Sequence, residues 1–499
     1  MAGGIDTVSA MIDAYCWPQS TAADQTVALM ISSDQTTCNV EIVRVGAGED
    51  VVHRHHDVPV SEQPVSDSIV REGCGWEATL QVTVSSSWAS GFYLVRLTAP
   101  NGESAEAFFV VKASTPGNTL LVLTTSTWAA YNHWGADSFY TGGSISSLER
   151  PLPTGFLAKD DPRRFRAAAY VDMPRDEIKA HFRTHSFFSS AAGFANWERL
   201  FVAWAESEGI SFDYATSTDL ATDPELLAPY KLYLSVGHDE YWSASMRDNV
   251  EGWVAEGGAA LFLSGNTSFW QIRPENDWRR IVGYKFDIDQ DPVVGGDSET
   301  SVSTMWSDPL CRRPENEMTG VSFTRGGYAN MPHAPEGGGY SVHQPAHWVF
   351  AGLDLEPGDV VGGDGMVVGY ECDGCDFELV DGIPRPTGID GTPLAFEILA
   401  TAPAKLWETH EIAAGLANYV GELNWVAERL AGSDTAETRA IFEGGHAVMG
   451  THRLGQGWVF TTGCTDWAYG LDDPTVSGIT KNLINRALDE NIGQTSPTG

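Results

Sequence analysis

The stretch Leu234-Ser235-Val236-Gly237-His238-Asp239-Glu240-Tyr241-Trp242 passes abruptly from apolar residues to a histidine, two carboxylates and a phenol. Imidazole and carboxylate groups move protons near neutral pH, and together with phenolate they are metal donors. In an extended segment the side chains alternate, so His238 and Glu240 share one face and Asp239 and Tyr241 the other. One pair would then serve a metal or a substrate while the other orients it. In a purely structural role, His238 and Asp239 would cap the next helix and Tyr241 and Trp242 would pack beneath it. Ser243 already offers that cap, which favours chemistry.

The elements around the cluster explain its position. The apolar run 230–236 predicts a buried strand, and Met246 to Glu256, preceded by Ser243 and ended by Gly257-Gly258, predicts a helix. The cluster thus falls at the carboxyl end of a strand, outside which open parallel sheets bind ligands. The same alternation recurs: strands at 119–124, 211–215 and 258–263, and helices at 196–208 and 476–488, predict an α/β fold with a parallel sheet and helices on both faces. Upstream, short alternating segments between Thr26 and Lys112 predict an immunoglobulin-like β-sandwich over residues 1–115. The α/β domain is expected over 116–499, with a Gly- and Pro-rich, β-rich insertion around 285–440 whose long loops would cover the site. Two further segments, 445–451 and 457–463, read as a hairpin or adjacent strands.

At 499 residues the chain exceeds what one core commonly supports, and 42% hydrophobic residues suffice for more than one. Its 67 acidic against 30 basic residues give a formal net charge of -37, spread along the chain. Nucleic acid and anionic membranes need basic surface, so neither is an expected partner. No apolar run approaches the roughly 20 residues that span a bilayer. The opening Met-Ala-Gly-Gly-Ile-Asp lacks the basic and apolar regions of a signal peptide, so a cytoplasmic location is expected. Seven cysteines form no disulfide scaffold. Cys372-Asp373-Gly374-Cys375 lacks a second Cys or His pair at zinc spacing, and a turn with two incidental thiols is expected there.

Other strand-end residues add to the candidate site. Tyr131, Asn132 and Trp134 combine apolar faces with polar tips that suit a small-molecule ligand, with Asp239 as a further polar contact. Asn266 stands where α/β hydrolases often carry a nucleophile, yet no Cys or Gly-x-Ser-x-Gly elbow is present, which disfavours covalent catalysis there. Glu371 and Glu315 are further candidate carboxylates, although each alone is more often a surface or arginine-paired acid.

Gly237-His238-Asp239-Glu240-Tyr241-Trp242, Val254-Ala255-Glu256-Gly257-Gly258, Leu263-Ser264-Gly265-Asn266, Tyr131-Asn132-His133-Trp134-Gly135, Val448-Met449-Gly450-Thr451 and Thr465-Asp466-Trp467 together resemble the C-terminal domain of the large subunit of the N,N-dimethylformamidase family. The resemblance covers most of the chain after about Thr119. It implies a glutamine-amidotransferase-like domain without the amidotransferase cysteine. It further implies hydrolysis of a small-molecule amide C–N bond at a mononuclear iron, Fe(III), held by two tyrosines and a glutamate. A small partner subunit belongs to the same resemblance, and a homo-oligomer stays open. By the resemblance the tyrosine of a His-x-Glu-Tyr motif falls on Tyr241 and the glutamate ligand on Glu315, with Glu317 as the neighbour to exclude. The second tyrosine falls near Leu200, and Tyr214 is the nearest phenol. Iron would polarise the carbonyl and activate water, His238 or Glu240 would pass a proton to the leaving amine, and Asn266 or Asn132 would donate to the oxyanion. The competing expectations are a non-catalytic ligand- or carbohydrate-binding α/β protein that has lost the metal, and a hydrolase of another class acting on an ester or glycan.

Overall fold

The computed structural model describes residues 12–171, 173–411 and 422–489. Two β-sheets come first along the chain. One contains Ile12–Trp17, Thr26–Ser33 and Leu80–Thr83; the other runs, edge to edge, Ser20–Thr21, Ser104–Val111, Gly91–Thr98, Thr37–Val45 and Glu49–Pro59. Alternation along the strands sends Val27, Leu29 and Ile31 of the first sheet and Val40, Ile42, Val95 and Phe109 of the second into one shared core. The other face of the second sheet is apolar as well. Its Phe92 stacks 3.8 Å from Phe194 and its Phe108 lies 5.2 Å from Trp128, so this sheet is buried between two layers and buttresses the rest of the molecule.

That remainder is built on nine strands in the spatial order Asp213–Thr216, Thr119–Leu123, Leu232–His238, Ala259–Gly265, Gly457–Thr461, Gly445–Leu454, Glu397–Ala404, Tyr340–Val342, Val360–Val361. The first five are mutually parallel and the last four join antiparallel. Parallel strands covered on both faces read as continuous apolar runs, and Leu232–His238 and Ala259–Gly265 are indeed buried at every position. Numbered by sequence, the parallel strands lie in the order 2-1-3-4-5, so the winding reverses between Thr119–Leu123 and Leu232–His238. Such a switch point opens a crevice at the strands' carboxyl ends.

The helix after the third strand is Ala244–Ala255, and Ser243 caps it by accepting the Met246 N–H at 3.3 Å. Helices at Glu198–Ser207 and Pro474–Leu488 lie close to the ranges that the sequence predicts. The segment 285–440 departs from a simple covering insertion, because three of its strands extend the main sheet. The pair Ser322–Tyr328 with Glu371–Gly374 and the hairpin Phe377–Val380 with Ile383–Pro386 stand apart from it. The turn expected around Cys372 is therefore mostly strand, since Glu371–Gly374 is held by pairing to Ser322–Tyr328. All seven cysteines are buried and unpaired. Among the described residues no helix is long and apolar enough to cross a membrane.

Candidate active site

Two glycines let the site assemble. At Gly237 (φ +83°) the backbone takes a left-handed turn against Trp197, and a Cβ there would lie 2.4 Å from that residue's Cβ. At Gly265 a Cβ would lie 2.4 Å from Thr465 N and 2.7 Å from the Glu371 carbonyl oxygen. The bare backbone thus admits the strand Glu371–Gly374 across the carboxyl edge of the sheet. It brings a carboxylate from far along the chain beside His238.

His238 sits between fixed partners. Its Nδ1–H donates to the Ala191 carbonyl at 2.7 Å, and Nε2 lies 2.6 Å from Glu371 Oε2 and 3.3 Å from Glu240 Oε2. Asn266 Nδ2 donates to the same Glu371 oxygen at 3.0 Å. Glu240 accepts Trp270 Nε1–H at 2.7 Å and the Tyr140 hydroxyl at 2.8 Å, and that hydroxyl in turn accepts from Tyr241 at 2.9 Å. Tyr131 stacks on Tyr140 with ring centroids 4.2 Å apart. The Lys285 ammonium stands 3.3 Å from the centroid of the Tyr140 ring. His238, Glu240 and Glu371 are each nearly fully buried.

Tyr131, Tyr140, Glu240, Asn266, Lys285 and Glu371 line the floor of a cavity of about 500 Å³ whose walls include Phe269, Trp270, Phe286, Phe323, Tyr328 and Trp407, and His238 lies behind the two carboxylates. Burial opposes a charge on His238, yet the Glu371 and Glu240 carboxylates outweigh it and raise the imidazole to about 10. Burial likewise works against ionised Glu371, but the adjacent imidazolium holds its pKa below the usual range. For Glu240 burial prevails and raises its pKa. Burial lowers Lys285 to about 8. His238 touches both carboxylates, so the protonation of the three groups is linked. At neutral pH the floor holds an imidazolium locked to one carboxylate, with a second carboxylate that retains a proton more readily. Two carboxylates pushed apart in this way can divide acid and base roles.

Not every residue singled out in the sequence reaches this cavity. Glu240, Asn266 and Tyr131 line it, and His238 lies directly behind Glu240 and Glu371. Tyr241 stands behind it: its ring is fully buried and its hydroxyl is engaged by Tyr140. Glu315 is bound by the Ser307 and Ser322 hydroxyls and lines no part of the cavity. Tyr214 faces the β-sandwich side, next to Phe212, with its backbone N–H on Ser90. The three side chains assigned to a metal by resemblance therefore do not converge, because the alternation within His238–Tyr241 turns the carboxylate, not the phenol, toward the cavity. Asp239 points away to Ser235 and Trp242, Asn132 bonds Pro151 and Trp134, and Trp134 bonds Asp13 and packs on Trp76, so none of these three contacts a ligand in the cavity.

Sequence reasoning missed Tyr140, Lys285 and Tyr370, and noted Glu371 without placing it. A signal for Lys285 exists: a cation flanked by Tyr284 and Phe286 is unusual in a chain with only 30 basic residues. Among the described residues no group of three or more His, Cys, Asp or Glu is arranged to hold a metal ion. The oxygen donors around Glu240 are instead mainly phenols.

Comparison with known proteins adds a family. The model described as N,N-dimethylformamidase beta subunit-like, C-terminal, matches residues 39–481, reaching back into the β-sandwich. The N,N-dimethylformamidase beta subunit of Alcaligenes sp is 23% identical over 458 residues, covering 84% of this chain and 55% of that protein. The subunit of the same name from Paracoccus aminophilus is 22% identical over 342 residues, covering 62% of this chain and 43% of that protein. The chain thus spans about half the length of these relatives. Among solved structures, a superoxide reductase (neelaredoxin) from Ignicoccus hospitalis matches 20% of this chain and 82% of its own at 12% identity, with a TM-score of 0.14, too low to bear on the fold.

Proposed function

We propose, from the premise that this chain belongs to the N,N-dimethylformamidase beta subunit-like, C-terminal family, that its cavity hydrolyses the C–N bond of an amide. The observation that carries the proposal is His238 buried against Glu371 and Glu240, two carboxylates that line a cavity with largely aromatic walls. In this reading Glu240 takes a proton from the attacking water and returns it to the leaving amine, a task that its raised pKa suits. His238, kept charged by Glu371 and oriented by the Ala191 carbonyl, and the Asn266 amide oppose the negative charge that grows on the carbonyl oxygen. Lys285 adds a cation beside Glu240. The aromatic walls exclude bulk water, which strengthens each of these interactions.

The donor chemistry also fits a hard trivalent ion. Glu240, Tyr131 and Tyr140 are buried oxygen donors packed together, and burial drives both phenols well above their ordinary pKa, so their anions call for a strong compensating charge. In this proposal Tyr131 and Tyr140 would hold Fe(III), which would supply Lewis acidity toward the amide carbonyl, while Glu240 beside them keeps its role as base. Tyr241 then positions Tyr140 through its hydroxyl, without touching the ion. The relatives bear the name of a beta subunit, and assembly with a further subunit belongs to the same proposal.

The test is release of dimethylamine from N,N-dimethylformamide by the purified chain, with its iron content measured in parallel. Turnover with stoichiometric iron and a phenolate-to-iron absorption band weakened in Tyr140→Phe is the expected result. Iron-loaded protein that releases no amine from any formamide would overturn the reading.

A further inference from the structure

The cavity is much larger than the bond-breaking centre needs. A dialkylformamide has only a handful of heavy atoms, whereas about 500 Å³ lies within the range of roughly 300–1,000 Å³ that accommodates drug-sized ligands. The excess space is organised. From His238 a series of rings leads along one wall: Tyr370 at 6.0 Å between centroids, Tyr328 a further 6.1 Å, and Trp407 stacked on Tyr328 at 4.1 Å and 17°. Phe323 joins this wall 5.4 Å from Tyr328, and Met331, an adaptable and polarizable side chain, lines the same space. Phe187 lines it too while 62% exposed, so the apolar surface continues to the outside.

Such walls stabilise a flat apolar group by burial and by offset or edge-on ring contacts, and the carboxylates that line the same space are already engaged, Glu422 by the Tyr328 hydroxyl at 3.0 Å and Glu411 by Lys405 at 2.9 Å. A substrate that ends at the floor would leave the space between the Trp407–Tyr328 stack and Met331 unfilled. We propose that the amide cleaved here carries an aryl-sized or larger apolar group, held between the Trp407–Tyr328 stack and Met331, with its carbonyl over Glu240 and Asn266. The cleaved bond rests on the hydrolase reading above; the ligand class rests on the wall alone. For an N-aryl formamide, the oxygen of water adds to the carbonyl carbon, the C–N bond breaks with its electron pair going to nitrogen, and the proton carried by Glu240 follows. Formate and an arylamine leave.

The experiment compares kcat/KM for formanilide and N,N-dimethylformamide in the holoprotein, in Trp407→Ala and in Met331→Trp, which fills the space without removing a wall. The expected result is a preference for formanilide of at least about tenfold, with the formanilide-to-dimethylformamide ratio falling about tenfold in both variants. Equal or better use of N,N-dimethylformamide, or a ratio that neither variant moves, would overturn the inference and leave the hydrolase reading intact. If neither amide is cleaved, calorimetric titration with formanilide decides: binding that weakens in Met331→Trp supports the ligand class while the hydrolase reading fails, and no binding at all overturns both.

Discussion

His238 owes its character to its contacts. The Ala191 carbonyl fixes one ring nitrogen as a donor, and two carboxylates at the other make an imidazolium favourable in a place where burial alone would forbid it. Asp373, two residues beyond Glu371, shows the opposite outcome. Its Oδ2 accepts the Thr267 N–H at 3.0 Å while Oδ1 is buried without a partner, and burial raises it to about 8. An unfolded aspartate has a pKa of about 3.9. The folded state therefore retains a proton that the unfolded state has released from about pH 4 upward, and stability falls as pH rises toward 8. Asp373→Asn removes this titration. Relative to the parent it should gain on the order of a few kcal/mol between pH 5 and pH 8 in urea unfolding, and parallel curves at the two pH values would show that Asp373 is ionised in the fold.

At the scale of elements, the strand Leu232–His238 and the helix Ala244–Ala255 were legible because each depends on local signals: an unbroken apolar run, a Ser cap and a Gly-Gly stop. The face that His238 and Glu240 share also follows from alternation alone. What could not be read was the company they keep. Glu371, Lys285, Tyr328 and Trp407 come from the segment 285–440, where Gly- and Pro-rich chain breaks the periodicity that sequence reading relies on. Their positions are set by long-range strand pairing and by close backbone approach at Gly265. Tyr241 lies outside the cavity lining for a related reason, since a one-residue change of face exchanges a carboxylate for a phenol. Gly237 tests the local geometry: Gly237→Ala combines a φ of +83° with a contact at 2.4 Å, and should cost about 2 kcal/mol or more. Gly252→Ala, on an open stretch of the helix Ala244–Ala255, should instead add about 0.5–1 kcal/mol. Thermal melts of the pair give the comparison, and equal shifts would refute the role assigned to the turn at Gly237.

At the scale of the whole molecule, the cavity is a product of several layers. The parallel strands supply His238, Glu240 and Asn266, the segment after the first strand supplies Tyr131 and Tyr140, and the sheet extension and its companions supply Glu371 and the aromatic wall. The β-sandwich supports this arrangement through the Phe92–Phe194 stack and the Phe108–Trp128 contact, without entering the cavity. These layers converge to bring His238, Glu371 and Glu240 together, and the proposed hydrolysis depends on the three acting as one unit. Its most direct test is amine release by Glu371→Gln, which preserves shape and removes the charge that fixes the imidazolium, in protein whose melting temperature stays close to that of the parent. A fall in kcat/KM of at least about a hundredfold is expected. Turnover near that of the parent would contradict it.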